Sequence, residues 1–247
     1  MKALIGGALA LCLLPAACES VDAEQVGAVL GSIYGPQGET DGQGALSSLE
    51  IEAGLRQALE IGTERVADQI GVTDGYWQDP QIRIPLPGRL GEVQSQLQGV
   101  GLSGPLDDLQ LRMNRAAEDA VPAGKQIVID VVRSITIQDA LGILNGGDTA
   151  ATDFLRGRTE TSLRTTFTPY VEDALASSGA YQMLDSVTAS QPLLAAYAGD
   201  FKSDLTTHAV NFGLNGLFNY LAVEEQKIRE DPVARTTELL RKVFGSR

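Results

Sequence analysis

Cysteine is nearly absent: the chain has only Cys12 and Cys18, both close to the N-terminus. That excludes a disulfide framework and leaves stability to packing. Histidine is scarcer still. His208 stands alone, and one histidine with at most one mature cysteine falls short of the usual four ligands of a structural zinc site. There is no P-loop, and His208 has no nucleophile motif to serve, so it reads as a solvated residue on a helix face shared with Asn211, Asn215 and Asn219. Basic runs are missing too. With 32 acids against 19 bases the formal charge is −13, which repels polyanions and argues against both nucleic acid and anionic lipid as partners. After the first residues, no uncharged apolar run reaches the roughly 18 residues of a membrane-spanning helix. The expectation is a chain without metal or cofactor.

What is present begins with an export pattern: Lys2, an apolar run from Ala3 to Leu14, then Ala16-Ala17-Cys18. Residues 1–17 read as a signal peptide. Leu14-Pro15-Ala16-Ala17-Cys18 resembles a lipobox, with Leu14 one place earlier than usual, so Cys18 is the expected site of lipidation. The alternative is plain cleavage to a soluble periplasmic protein. Removing the segment takes away Lys2 and moves the charge to −14. Residues 18–48, rich in glycine and polar side chains, read as a flexible tether, and residues 49–247 as one helical domain whose 43% hydrophobic content suffices for a core.

Leu49 to Ile70 predicts a long helix with Leu55, Leu59, Val66 and Ile70 on one face and Gly71 as its stop. Gln81 to Pro87 alternates like a strand, yet Pro85 and Pro87 forbid a central one, so an extended strap with Ile82, Ile84 and Leu86 inward and Arg83 outward is expected. Arg89 to Gln98 is a short helix. Gly99 to Gly104 matches G-x-G-x-x-G, but no strand precedes it, which removes its force as a dinucleotide site. Leu106 to Ala120 predicts a helix with the stripe Leu106, Leu109, Met113, Ala116, Ala117 and Ala120. Pro122 should open another through Ile135, with a strand at Ile127 to Val132 as the alternative.

Thr136 to Thr152 carries the sharpest local signal. Thr136 and Asp139 form a capping pair, Asn145-Gly146-Gly147 should stop the helix with a left-handed glycine, and Asp148 should cap the next. That next helix is interrupted near Pro169 and ends at Gly179. Tyr181 to Tyr197 holds two short pieces, and about Leu205 to Glu230 forms the last long helix, with Val210, Leu214, Leu217, Phe218, Leu221 and Ile228 inward and a Glu225–Arg229 pair. Asp231-Pro232 ends it, and Val233 to Phe244 closes the chain.

Chemistry has few candidates. Asn114 and Glu118 lie one turn apart, off the apolar stripe, beside Arg115. They predict either a solvated face with an Arg115–Glu118 pair or the wall of a polar groove. Asn145 and Asp148, with Asp153, could share a cation, and the helix start could hold an anion, but capping is the simpler role. Arg83, Asn114, Arg115, Glu118, Asn145 and Asp148 are therefore the candidate ligand-binding residues, and no catalytic set is assigned.

Several segments together resemble a known bacterial family, domain of unknown function 4197, over about Gly54 to Gly245. They are Gly54-Leu55 with Ala58-Leu59 and Gly62-Thr63; Arg83-Ile84-Pro85-Leu86-Pro87; and Met113-Asn114-Arg115-Ala116-Ala117-Glu118. Ile143-Leu144-Asn145-Gly146-Gly147-Asp148 and Gly216-Leu217-Phe218 follow, then Glu224-Glu225 through Ile228-Arg229 to Asp231-Pro232. Asn215 stands where the family leads one to expect Asp. The resemblance implies an exported, often lipoprotein-like helical domain and brings no activity or cofactor. The expected whole is an all-α single domain of about nine or ten helices with a short strap. Its expected place is the periplasm, held on the outer membrane through Cys18. Its expected role is non-enzymatic binding of an envelope protein or small molecule, with a hydrolase using carboxylate and arginine groups as the alternative.

Overall fold

A computed structural model describes residues 47–245 apart from 178, 191–200 and 232. The expected signal segment, Cys18, nearly all of the expected tether and the expected second helical piece before Tyr197 lie outside these residues. Among the described residues there are eight α-helices and no strand. They are α1 (Ser48–Ile70), α2 (Gly88–Gln98), α3 (Gly104–Arg133), α4 (Ile137–Leu144), α5 (Ala150–Ser177), α6 (Ala180–Ser190), α7 (Phe201–Glu230) and α8 (Glu238–Phe244). Two expected breaks are absent, because two prolines do not interrupt their helices. Pro122 lies inside α3 and Pro169 inside α5, each with its ring exposed rather than driven into the core, and both helices run on through them. Ile127 to Val132 is accordingly helical.

The three long helices α3, α5 and α7 pack on one another, and α1 lies across α3 and α7. Each buries the stripe its periodicity predicts: Leu55, Val66 and Ile70 from α1; Leu106, Leu109 and Met113 from α3; Leu214, Leu217 and Phe218 from α7. Burying each such side chain contributes about 1.5–3 kcal/mol. Capping boxes fix two starts, Ser47 with Glu50 for α1 and Thr136 with Asp139 for α4. The closing helix is shorter than expected because Arg235 folds back, donating from Nε to Ile228 O at 2.9 Å and from Nη2 to Arg229 O at 2.6 Å. It thereby satisfies the open carbonyls at the end of α7. From there α8 returns to α1, where Thr237 Oγ1 donates to Gln57 Oε1 at 2.8 Å and Lys242 pairs with Glu50.

Between α1 and α2 the chain turns and then runs extended as the strap. Ile82, Ile84 and Leu86 are buried and Arg83 is exposed, as the alternation requires. Tyr76 comes so close to α7 that a Cβ on Gly216 would sit 2.8 Å from Tyr76 Cε1 and 3.2 Å from Ile82 Cβ. Gly216→Ala should therefore displace the strap and destabilise the domain by about 1–3 kcal/mol despite alanine's better helix propensity. Urea unfolding checks this; unchanged or raised stability would mean that Tyr76 yields freely. Gly99 to Gly104 joins two helices, so the dinucleotide pattern lacks its structural context.

Candidate functional site

The side chains singled out in the sequence fall into two places. The first lies under the strap. Asn114 is fully buried, and its amide treats Ile84 as a neighbouring strand would: Oδ1 accepts from Ile84 N–H at 2.8 Å and Nδ2 donates to Ile84 O at 2.9 Å. Gln110 Nε2 donates to the same carbonyl at 3.1 Å. These bonds replace the backbone ladder that an isolated extended segment lacks. Glu118 is 2% exposed and holds the preceding turn. Its Oε1 accepts from Tyr76 N–H and Trp77 N–H, each at 3.0 Å, and its Oε2 accepts from Asp74 N–H at 3.2 Å and Arg115 Nη1 at 2.7 Å. Arg115 also pairs with Asp74, a non-glycine residue at φ 73°. The Arg115–Glu118 pair is as expected, but the solvated face is not: burying these groups is affordable only because each finds a partner.

Arg83 donates from Nε to Trp77 O and lays its guanidinium 4.9 Å from the Trp77 ring centroid. His208 corrects the sequence reading as well. It is half-buried, stacks at 4.3 Å on Phe212 and bonds through Nε2 to Pro85 O at 2.8 Å. Burial lowers its pKa, and the bond to Pro85 opposes that only in part. Tyr76 OH donates to Gly213 O at 2.8 Å, and Tyr220 OH bonds to Asp79, its pKa pushed up to about 12 by burial and then by that carboxylate.

The second place is the corner between α4 and α5, where Asn145 and Asp148 are exposed. Neither Gly146 nor Gly147 is left-handed. Gly146 is needed for closeness instead, since a Cβ there would stand 2.5 Å from that of Ala150. Asp148 does not cap α5; among the described residues it has no hydrogen bond or ion pair. The cap comes from α7. Glu225 Oε1 accepts from Ala151 N–H at 2.9 Å, and Oε2 accepts from Thr152 N–H at 2.8 Å and Thr152 Oγ1 at 2.9 Å. Arg229 then clasps Glu225 Oε1 from Nε at 3.0 Å and Nη2 at 2.8 Å while Nη2 donates to Ile143 O at 2.9 Å. The predicted i, i+4 pair is thus a buried clamp between helix ends.

The two places do not meet. Gly213, beneath Tyr76, and Glu225, above the start of α5, are twelve residues apart on α7, about 18 Å at ~1.5 Å per residue. Arg83, Asn114, Arg115 and Glu118 belong to the strap; Asn145 and Asp148 belong to the corner. Among the described residues every buried side-chain N or O atom has a hydrogen-bond partner, and no three His, Cys, Asp or Glu side chains gather as metal donors. A shallow groove of about 290 Å³ adjoins the corner, lined by Gln138, Asp139, Gly142, Ile143, Ala150 and Phe154. Arg158 borders it, 5.1 Å from the Phe154 ring centroid and 3.6 Å from Asp139. Glu225, Arg235 and Tyr76 were not singled out in the sequence as anchors; only the Glu225–Arg229 spacing hinted at one of them.

Several half-buried carboxylates are held low. Lys242 first, then Ser47, brings Glu50 to about 2. The Thr136 hydroxyl and N–H lower Asp139. At Asp107 burial acts upward but Ser103, Gln94 and Gln98 together outweigh it. A carboxyl with a depressed folded pKa adds stability above its unfolded value and loses it as pH falls through the folded one. The melting temperature should therefore fall most steeply between about pH 4.5 and 2. A thermal scan across that range that rose with acid would contradict these pairings.

No curated protein and no solved structure matches the chain. Residues 45–245 match the family described as Protein of unknown function (DUF4197), a span that takes in every helix and both polar clusters described above. With the motifs of the strap, the corner and the end of α7 all inside that match, the chain belongs to this family.

Proposed function

We propose that the protein is a non-enzymatic binding or interaction lipoprotein of the bacterial envelope, exported through residues 1–17 and tethered by Cys18. The observation that carries the reading is how the polar groups are used. Glu118, Asn114, Glu225 and Arg229, the buried groups best suited to acid–base or electrostatic chemistry, spend their hydrogen bonds on backbone atoms of the fold. A general acid or base needs a lone pair or proton directed at substrate. The hydrolase alternative would need the strap and corner residues together, and the α7 positions that hold the two places, Gly213 and Glu225, are twelve residues apart, about 18 Å along the helix. The exposed corner, with Asp148 unengaged beside the Phe154 groove, suits recognition of a partner instead.

The test is a photo-crosslinking residue placed at Gly147, whose side-chain position opens into empty space, in cells carrying the native export segment. A discrete envelope adduct is expected there and none from the exposed control position Asp119. Equal labelling at both positions, or at neither, would remove the corner as an interaction site. Release from the membrane by Cys18→Ser tests the tether.

A further inference from the structure

We infer that the groove between α4 and α5 receives a basic and apolar segment of a partner protein: one aliphatic or aromatic side chain over Gly142 and against the edge of Phe154, flanked by lysine or arginine. This rests on the interaction reading above and names the chemistry of its occupant. Size comes first. At about 290 Å³ and open to solvent, the groove lies at or below the range of ~300–1,000 Å³ that encloses small molecules. It fits a side chain or two of a chain lying across it.

Its floor is apolar and close. Ile143 and the half-buried Phe154 form the walls, and at Gly142 a Cβ would meet nothing within 4 Å. That glycine is exposed in a helix interior, where alanine would be the better helix former, and its bare backbone lets another chain approach.

Charge comes from the lining and from its neighbours in sequence. Asp139 lines the groove, exposed Asp148 stands two residues before the lining Ala150, and exposed Asp153, which accepts from Thr149 Oγ1 at 3.1 Å, stands one residue before Phe154. Against these carboxylates the bordering cation is Arg158, already laid over Phe154 and near Asp139. Arg229 is turned inward on Glu225. The excess is negative, in keeping with the chain's −13, so basic flanks complement the rim and acidic ones are repelled.

The test is a ¹H–¹⁵N NMR titration of the mature chain with two blocked tetrapeptides, Lys-Leu-Phe-Lys and Glu-Leu-Phe-Glu. The basic peptide should shift the amides of Gly142, Gly147, Ala150 and Phe154 with millimolar saturation, and added salt should weaken it severalfold. Asp148→Asn, which removes an exposed charge without a folded partner, should weaken it about threefold or more. Gly142→Leu, growing into open space, should abolish it while the remaining spectrum stays folded. Equal binding of the acidic peptide, shifts confined to another surface, or no shift at millimolar concentration overturns the inference. If Gly147 crosslinks form in cells while the basic peptide fails, the occupant's chemistry is wrong and the interaction reading stands; if both fail, both fall.

Discussion

Glu118→Gln is expected to cost about 3 kcal/mol of stability, near the lower end of the ~3–5 kcal/mol typical when one member of a buried charge pair is removed. The lower end applies because the Arg115 side chain keeps 30% of its exposure and water can compensate it in part. The amide is nearly isosteric, so packing is preserved. Its NH2 group, however, can accept nothing: wherever it points, it faces backbone donors at Tyr76 and Trp77 or at Asp74, or the Arg115 guanidinium. For a domain of this length the loss corresponds to a fall of about 6–12 °C in melting temperature. The chain's single tryptophan, Trp77, gives its backbone N–H to this carboxylate, so its emission should shift as the turn loosens and the ring's surroundings change. Asp119→Asn, next door but exposed, is the control and should change neither. A Glu118→Gln protein as stable as the parent would return Glu118 to the list of ligand-binding candidates.

Glu225→Ala is expected to cost about 3–5 kcal/mol, because it strips the cap from α5 and strands Arg229 beside Ile143, whose guanidinium side chain is only 11% exposed. The doubly substituted Glu225→Ala, Arg229→Met protein should recover part of the loss, since it removes the isolated charge together with its partner. Hydrogen exchange separates this local effect from general weakening: the amides of Ala151 and Thr152 should lose protection by more than those of α3. Uniform loss across the helices would show that the cap is not held independently. A double substitution worse than the single would deny that stranded charge is the cause.

The apolar framework was legible because it is local. Leu106, Leu109, Met113, Ala116, Ala117 and Ala120 recur at helical spacing and all are buried, and Ile82, Ile84 and Leu86 beside Pro85 and Pro87 could only be a strap. The polar anchors were not, because their partners are remote. Asn114 and Glu118 lie off the α3 stripe and looked solvated, yet the segment that covers them lies 30 to 44 residues earlier. Asp148 was the nearest possible cap for α5; Glu225, 73 or 74 residues away, took the role from another helix. Pro122 and Pro169 misled for the same reason. A proline's effect on a helix depends on where its ring points, and both rings face away from the core, which follows from tertiary packing.

The return of α8 to α1 bears on timing. Val243 packs so tightly on the first helix that a Cβ at Gly54 would lie 2.6 Å from its Cγ2, and Lys242 meets Glu50 across 192 positions of sequence. A ribosome delivers α1 long before α8. Until α8 emerges, the face of α1 that bears Leu55 and Gly54 lacks its cover, and partial chains hold an apolar strip open to solvent. The docking of α8 on α1 is therefore a late step, a contact between segments far apart in sequence that local helix formation cannot replace.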